Sequence, residues 1–213
     1  PSQKLRLGVA SLRIGKDEKA WDKLYALSTT TEKERRPVLQ LENLEELMAI
    51  GPDDDPTDMP PAALQFFELV NSALASSLDK DLLIYAHGAN NNVYRATAQA
   101  AQYRHFTGRN SVVLAFAWPS AASLFRYGVD VINAKTTYPV FARLIELLAR
   151  YTHARYLNIL AYSAGAQIVS PGLAELGQAV SGDSREQLRD RLRLGSIYFA
   201  APDVDLKAFV EHL

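Results

Sequence analysis

Four short runs of almost unbroken apolar residues constrain this chain more than any other feature: Leu82 to Ala86, Val112 to Trp118, Tyr156 to Tyr162 and Ser196 to Ala201. A strand with one face in water alternates apolar and polar residues, so an unbroken run marks a strand covered on both faces, as in a parallel sheet. Parallel neighbours need crossovers of a dozen or more residues, and the intervening segments have the period to supply them. Leu64, Phe67, Val70, Leu74 and Leu78 recur at three- and four-residue steps behind Pro60-Pro61, a helix-start signal. Val93 to Phe106 is alanine-rich and closed by Gly108, and Val140, Leu144, Leu147, Leu148 and Tyr151 form a stripe behind Pro139. A further helix is expected after Ser163, cut short by Pro171-Gly172. Alternating helices and buried strands predict an open α/β sheet with right-handed crossovers.

The flanking segments are less regular. Leu5 to Ile14 and Pro37 to Leu41 have strand composition and no crossover between them, which predicts a hairpin or a pair of strands at the sheet edge. Ser181 to Arg193 is polar and basic, and Ser184 and Gln187 have the spacing of a capping box, so a short surface helix is expected there. The acidic, proline-rich run from Gly51 to Pro61 reads as a solvated loop. Its Asp53-Asp54-Asp55 carboxylates are the hard ligands calcium takes, but their spacing fits no calcium loop.

A chain of 213 residues that is 48% apolar can bury one sizeable core, so residues 1–213 are read as a single domain. Twenty-three Lys and Arg against twenty-four Asp and Glu leave a net charge of -1, without the positive field that a nucleic-acid backbone demands. The absence of cysteine removes disulfides, thiolate catalysis and Cys-ligated metal centres together. No stretch approaches the roughly 20 apolar residues of a membrane span. None of this decides between a cytoplasmic and an exported protein.

Ligands of open α/β sheets bind at the carboxyl ends of the strands, and three of the four exits carry chemistry. The third run leaves through Ala161-Tyr162-Ser163-Ala164-Gly165, a serine flanked at two residues by small side chains between a strand and a helix. This is the nucleophile-elbow pattern, in which bulk at the flanking positions would strike the adjoining strand and helix. The N–H of Ala164, at the helix start, is then placed to stabilise an oxyanion. The plain alternative for Ser163 is a helix N-cap. The first run leaves through His87-Gly88-Ala89-Asn90-Asn91-Asn92, where a His-Gly pair shapes a loop giving a second oxyanion N–H, assigned to Ala89. His87 and Gly88 then support that loop, and the asparagines can meet a substrate or cap the next helix. The last run leaves through Ala201-Pro202-Asp203-Val204-Asp205, delivering a carboxylate that can orient a catalytic histidine, Asp203 before Asp205. Both aspartates can equally cap a helix over Leu206 to His212. His105 and His153 lie at a helix end and before a strand, where neither needs a catalytic role. The stretch Ser120 to Tyr138, with Phe125, Tyr127, Val129 and Ile132, has no long period and can cover an acyl pocket.

The order of a His-Gly loop, Trp118-Pro119-Ser120, the Ser163 elbow and Ala201-Pro202-Asp203-Val204-Asp205 resembles the bacterial α/β-hydrolase family catalogued as a domain of unknown function, DUF900, from about Leu5 onward. The resemblance implies an α/β-hydrolase fold, a mainly parallel sheet with helices on both faces, and a serine hydrolase acting on a small-molecule ester or lipid without metal or cofactor. It also implies a histidine on a loop after the last strands, whereas only His212 follows Asp203 here. The expectation is therefore a chain lacking its C-terminal part, with a missing segment or second chain completing the sheet. The rival reading is a non-catalytic binding or assembly protein on the same fold. A departure from the usual G-x-S-x-G is Ala161 in place of the first glycine.

Overall fold

The computed structural model describes residues 3–14, 25–26, 29–31, 39–108, 110–121, 127–178, 182 and 184–212. Pro37, Phe125 and Ser181, which figure in the expectations above, lie outside the described residues, as does the side chain of His212.

The four apolar runs become β3 (Leu82–Ala86), β4 (Val112–Phe116), β5 (Leu157–Tyr162) and β6 (Leu194–Ala200), one parallel sheet in the order β4-β3-β5-β6. Every residue of β3 is buried, as its unbroken apolar sequence requires. The first two strands, β1 (Leu5–Ile14) and β2 (Leu39–Ile50), pair antiparallel and form a separate sheet. The expectation of strands at the edge of the main sheet is corrected accordingly, since no described residue of this ribbon pairs with β4 or β6. The second strand is also longer than Pro37 to Leu41 suggested. Its continuation, Glu42 to Ala49, is built of Glu, Leu, Met and Ala, good helix formers whose preference is overridden by cross-strand pairing with β1. Leu5, Leu7 and Ile50 anchor the base of the ribbon in the core.

The crossovers are α1 (Pro61–Ser76) before β3, α2 (Val93–Phe106), α3 (Tyr127–Tyr151), and α4 (Ala166–Gln178), followed by the short α5 (Arg185–Arg191) and α6 (Leu206–His212). Phe67, Val70 and Leu74 of the expected α1 stripe are buried, while Leu64 is exposed and Leu78 lies beyond the helix end, also exposed. The capping box of α5 forms in both directions, Gln187 N–H to Ser184 Oγ and Ser184 N–H to Gln187 Oε1. The Asp53-Asp54-Asp55 run is a turn whose carboxylates serve the backbone: Asp54 accepts from Gly51 N–H and Asp55 from Thr57.

Two helices depart from the sequence reading. Helix α3 does not start at Pro139 but twelve residues earlier at Tyr127, so the supposed pocket cover from Tyr127 to Tyr138 is helix, with Val129 and Ile132 exposed. Likewise α4 runs through Pro171 to Gln178 instead of stopping. An interior proline costs about 3 kcal/mol, and in both cases tertiary burial outweighs it. Val140, Phe141, Leu144, Ile145, Leu147 and Leu148 are all buried along α3, and α4 packs on it with Gly172 against Tyr138 and Phe141.

Strand order fixes where helices lie. The chain moves outward from β3 to β4, then back past β3 to β5 and on to β6. With right-handed crossovers, α2 covers one face and α3 and α4 the other. Adjacent strands β3 and β5 therefore send their chains to opposite faces, and the crevice between their carboxyl ends is the topological switch point.

Candidate active site

The residues flanking that crevice are the last of β3, Ala86, and the last of β5, Tyr162, with Ala86 in register with Ala161. Beyond Tyr162 the chain makes one tight turn, Ser163–Gly165, before entering α4. Ser163 has φ 50°, the left-handed region that a serine occupies only under constraint. The constraint comes from packing. A Cβ on Gly165 would lie 2.5 Å from Ala86 O and 2.9 Å from His87 O, so the start of α4 presses directly on the exit of β3. A Cβ on Gly88 would lie 3.0 Å from Ser163 Cβ, so the β3 exit loop runs against the serine itself. Ala161 and Ala164 are fully buried, and the small side chains expected at the flanks are what permits this approach. The methyl that Ala161 carries in place of a glycine is accommodated.

His87 is buried and bound at both ring nitrogens. Nδ1 donates to Gly88 O at 2.7 Å, Nε2 accepts from Trp118 N–H at 3.1 Å, and the Trp118 indole N–H donates to His87 O at 2.7 Å. The two rings stack at 5.1 Å between centroids. This set of partners requires a neutral ring with its proton on Nδ1. Burial accordingly pushes the His87 pKa below its ordinary 6.5, against the opposing pull of the two backbone bonds and the Asp130 charge. A ring held in this way joins the exits of β3 and β4 and has no nitrogen left for a reacting hydroxyl.

The loop continues through Ala89, half-buried beside the cleft, to Asn90, which has φ 54°. Asn92 caps α2, its side chain accepting from Arg95 N–H at 2.9 Å, and Asn91 donates to Gln99 Oε1 at 2.8 Å. Two of the three asparagines thus serve the fold. The β6 exit also reaches the elbow, with Asp203 N–H donating to Ser163 O at 3.1 Å. Asp205 is exposed and starts α6, its carbonyl accepting from Phe209 N–H. Asp203 is thereby tied through its backbone to Ser163. His105, in the last turn of α2, and His153, just past α3, lie toward the opposite edge of the sheet, where those helices end.

Sequence reasoning missed Asp130. This carboxylate, in the first turn of α3, is completely buried. It accepts from Asn90 N–H at 3.1 Å, from the Ser120 hydroxyl at 2.9 Å and from Ala121 N–H. Ser120 Oγ accepts in turn from Asn91 N–H at 3.1 Å. The only local signal was an acidic residue near a helix start, and that start was itself hidden by the aperiodic stretch before Pro139.

A family model described as an alpha/beta hydrolase of unknown function, DUF900, matches residues 63–213, more than half of the chain. No curated protein and no solved structure matches it.

Proposed function

Since the chain belongs to the DUF900 family of α/β hydrolases of unknown function, we propose that it is a serine hydrolase that cleaves carboxylic esters through an acyl-enzyme on Ser163. The observation that carries this reading is the φ of 50° at Ser163, at the crevice between β3 and β5 where Gly88 and Gly165 allow the chains to pack closely. A serine that only capped a helix would adopt extended backbone at no cost, whereas strain at this place lifts the hydroxyl out of the sheet toward a substrate.

In this mechanism Ser163 Oγ attacks the ester carbonyl carbon while its proton passes to a histidine. The carbonyl oxygen becomes an oxyanion held by the N–H groups of Ala164 and Ala89, and the alkoxide leaves with the proton from the same histidine. Water then repeats the sequence on the acyl-enzyme. Asp203, tied to the elbow through its backbone, is the acid assigned to orient the histidine. His87, with both nitrogens engaged, is a loop support and not the base; the base is a group other than the described imidazoles.

The bond specificity is tested with p-nitrophenyl esters of increasing acyl length beside the matching anilides, using the full-length protein. Ester turnover that disappears in Ser163→Ala is the expected result. Turnover of anilides alone would overturn the esterase reading.

A further inference from the structure

Besides the His87–Trp118 pair, the exit loops of β3 and β4 are joined at a second buried point, a carboxylate with no role in the reaction just described. Resting on the hydrolase reading, we propose that Asp130 is a positioning residue that sets the direction of the oxyanion loop, acting on Ala89 through Asn90 and Asn91.

Asn90 and Asn91 are the two residues after Ala89, and both of their N–H groups are engaged: Asn90 to Asp130 Oδ2 at 3.1 Å, Asn91 to Ser120 Oγ at 3.1 Å. Ser120 is itself held by Asp130 Oδ2 at 2.9 Å, so both bonds lead back to one carboxylate. The other oxygen, Oδ1, accepts from Ala121 N–H and fixes the β4 exit. The turn is completed by the left-handed backbone of Asn90 at φ 54°. Asparagine adopts this conformation more readily than most residues, and the bonds of the turn converge on Asp130. The consequence falls on the preceding amide. With its two successors committed elsewhere, Ala89 N–H has no hydrogen-bond partner among the described residues, as a donor reserved for substrate requires. The far side of the same loop is held by Gly88 against Ser163 and by the His87–Trp118 pair.

A carboxylate is suited to this task because it accepts on every lone pair and presents no donor to compete with three incoming hydrogens. Asparagine has nearly the same shape but turns one acceptor into a donor facing a donor. Removing the clamp leaves the ester's binding surface in place and displaces only the N–H that meets charge in the transition state, so turnover falls without a matching change in KM.

The test compares wild type, Asp130→Asn and the milder Ser120→Ala in the full-length protein. kcat and KM for a p-nitrophenyl ester are expressed per Ser163 titrated with a fluorophosphonate, so that unfolded molecules do not count. Hydrogen–deuterium exchange at the Asn90, Asn91 and Ala121 amides is read in parallel. The expected result for Asp130→Asn is a kcat lowered about 10- to 100-fold with KM within about 2-fold, and faster exchange at those amides. A smaller fall in kcat is expected for Ser120→Ala. Unchanged kcat per titrated site, with only a lowered melting temperature, would overturn the proposal, as would amides protected as in wild type. If the wild type neither labels nor turns over, the serine-hydrolase reading fails by itself. Exchange then still decides whether Asp130 holds the loop.

Discussion

At the scale of single residues, the site is organised by atoms that are missing as much as by those present. Gly165 has backbone oxygens of Ala86 and His87 where a Cβ would go. Gly165→Ala is therefore expected to cost about 3 kcal/mol, because strand and helix must move apart to admit the methyl; chemical denaturation measures it. Gly88→Ala meets Ser163 Cβ at 3.0 Å and is expected to lower turnover far more than stability. His87 gives a pH dependence with a definite sign. Its folded pKa lies below its ordinary 6.5, so as pH falls the unfolded chain takes up the proton first. Stability from this group is complete above 6.5 and declines as pH drops toward the depressed folded value. His87→Asn, which cannot ionise, is expected to be less stable at neutral pH and to flatten that acid-side decline in melts taken as a function of pH. Equal slopes in the two proteins would contradict the assignment of a neutral, doubly bonded ring.

At the scale of elements, two helix ends are closed by cations that stand just before strands of the main sheet. Lys80, just before β3, donates its ammonium to the carbonyls of Leu74, Ala75 and Ser77 at the end of α1. Arg193, just before β6, does the same for the end of α3, reaching Leu148, Ala149 and Thr152 and also Ala154. These are the orphan carbonyls of a helix C-terminus, where positive charge is favoured. Arg193→Met keeps the stem and loses the bonds. Its expected cost is about 2 kcal/mol of stability with kcat unchanged, since α3 touches the site at its other end. The same elements show what could be read in advance. Strands β3 to β5 and helix α2 were legible because burial, or alanine content closed by Gly108, leaves a local pattern; the run at β6 marked a strand but not one covered on both faces, since Ser196, Ile197 and Tyr198 are exposed. The start of α3 was not, because what holds it there is the bonding of Asp130 to residues far away in the chain. The second half of β2 was masked by helix-forming side chains.

At the scale of the whole molecule, topology assembles the site from segments that share no sequence neighbourhood. The β3 and β5 exits meet because their chains part to opposite faces of the sheet, the β4 exit is joined through His87, Trp118 and Asp130, and the β6 exit is joined through Asp203 and Ser163. Ser163, Gly88 and Gly165 could be found in the sequence since steric demands at an elbow select residue types at fixed spacing. The engagement of both His87 nitrogens and the clamp at Asp130 could not, since each depends on distances set only when strands are in register. Edge strand β6 pairs with β5 alone among the described residues, and its Ile197 and Tyr198 are exposed. The central claim is that Ser163 is a nucleophile, and the most direct measurement is the intact mass of the full-length protein before and after a fluorophosphonate, beside Ser163→Ala. The account predicts one adduct on the wild type and none on the variant. A folded wild type that takes no adduct, or an adduct that survives the substitution, would contradict it.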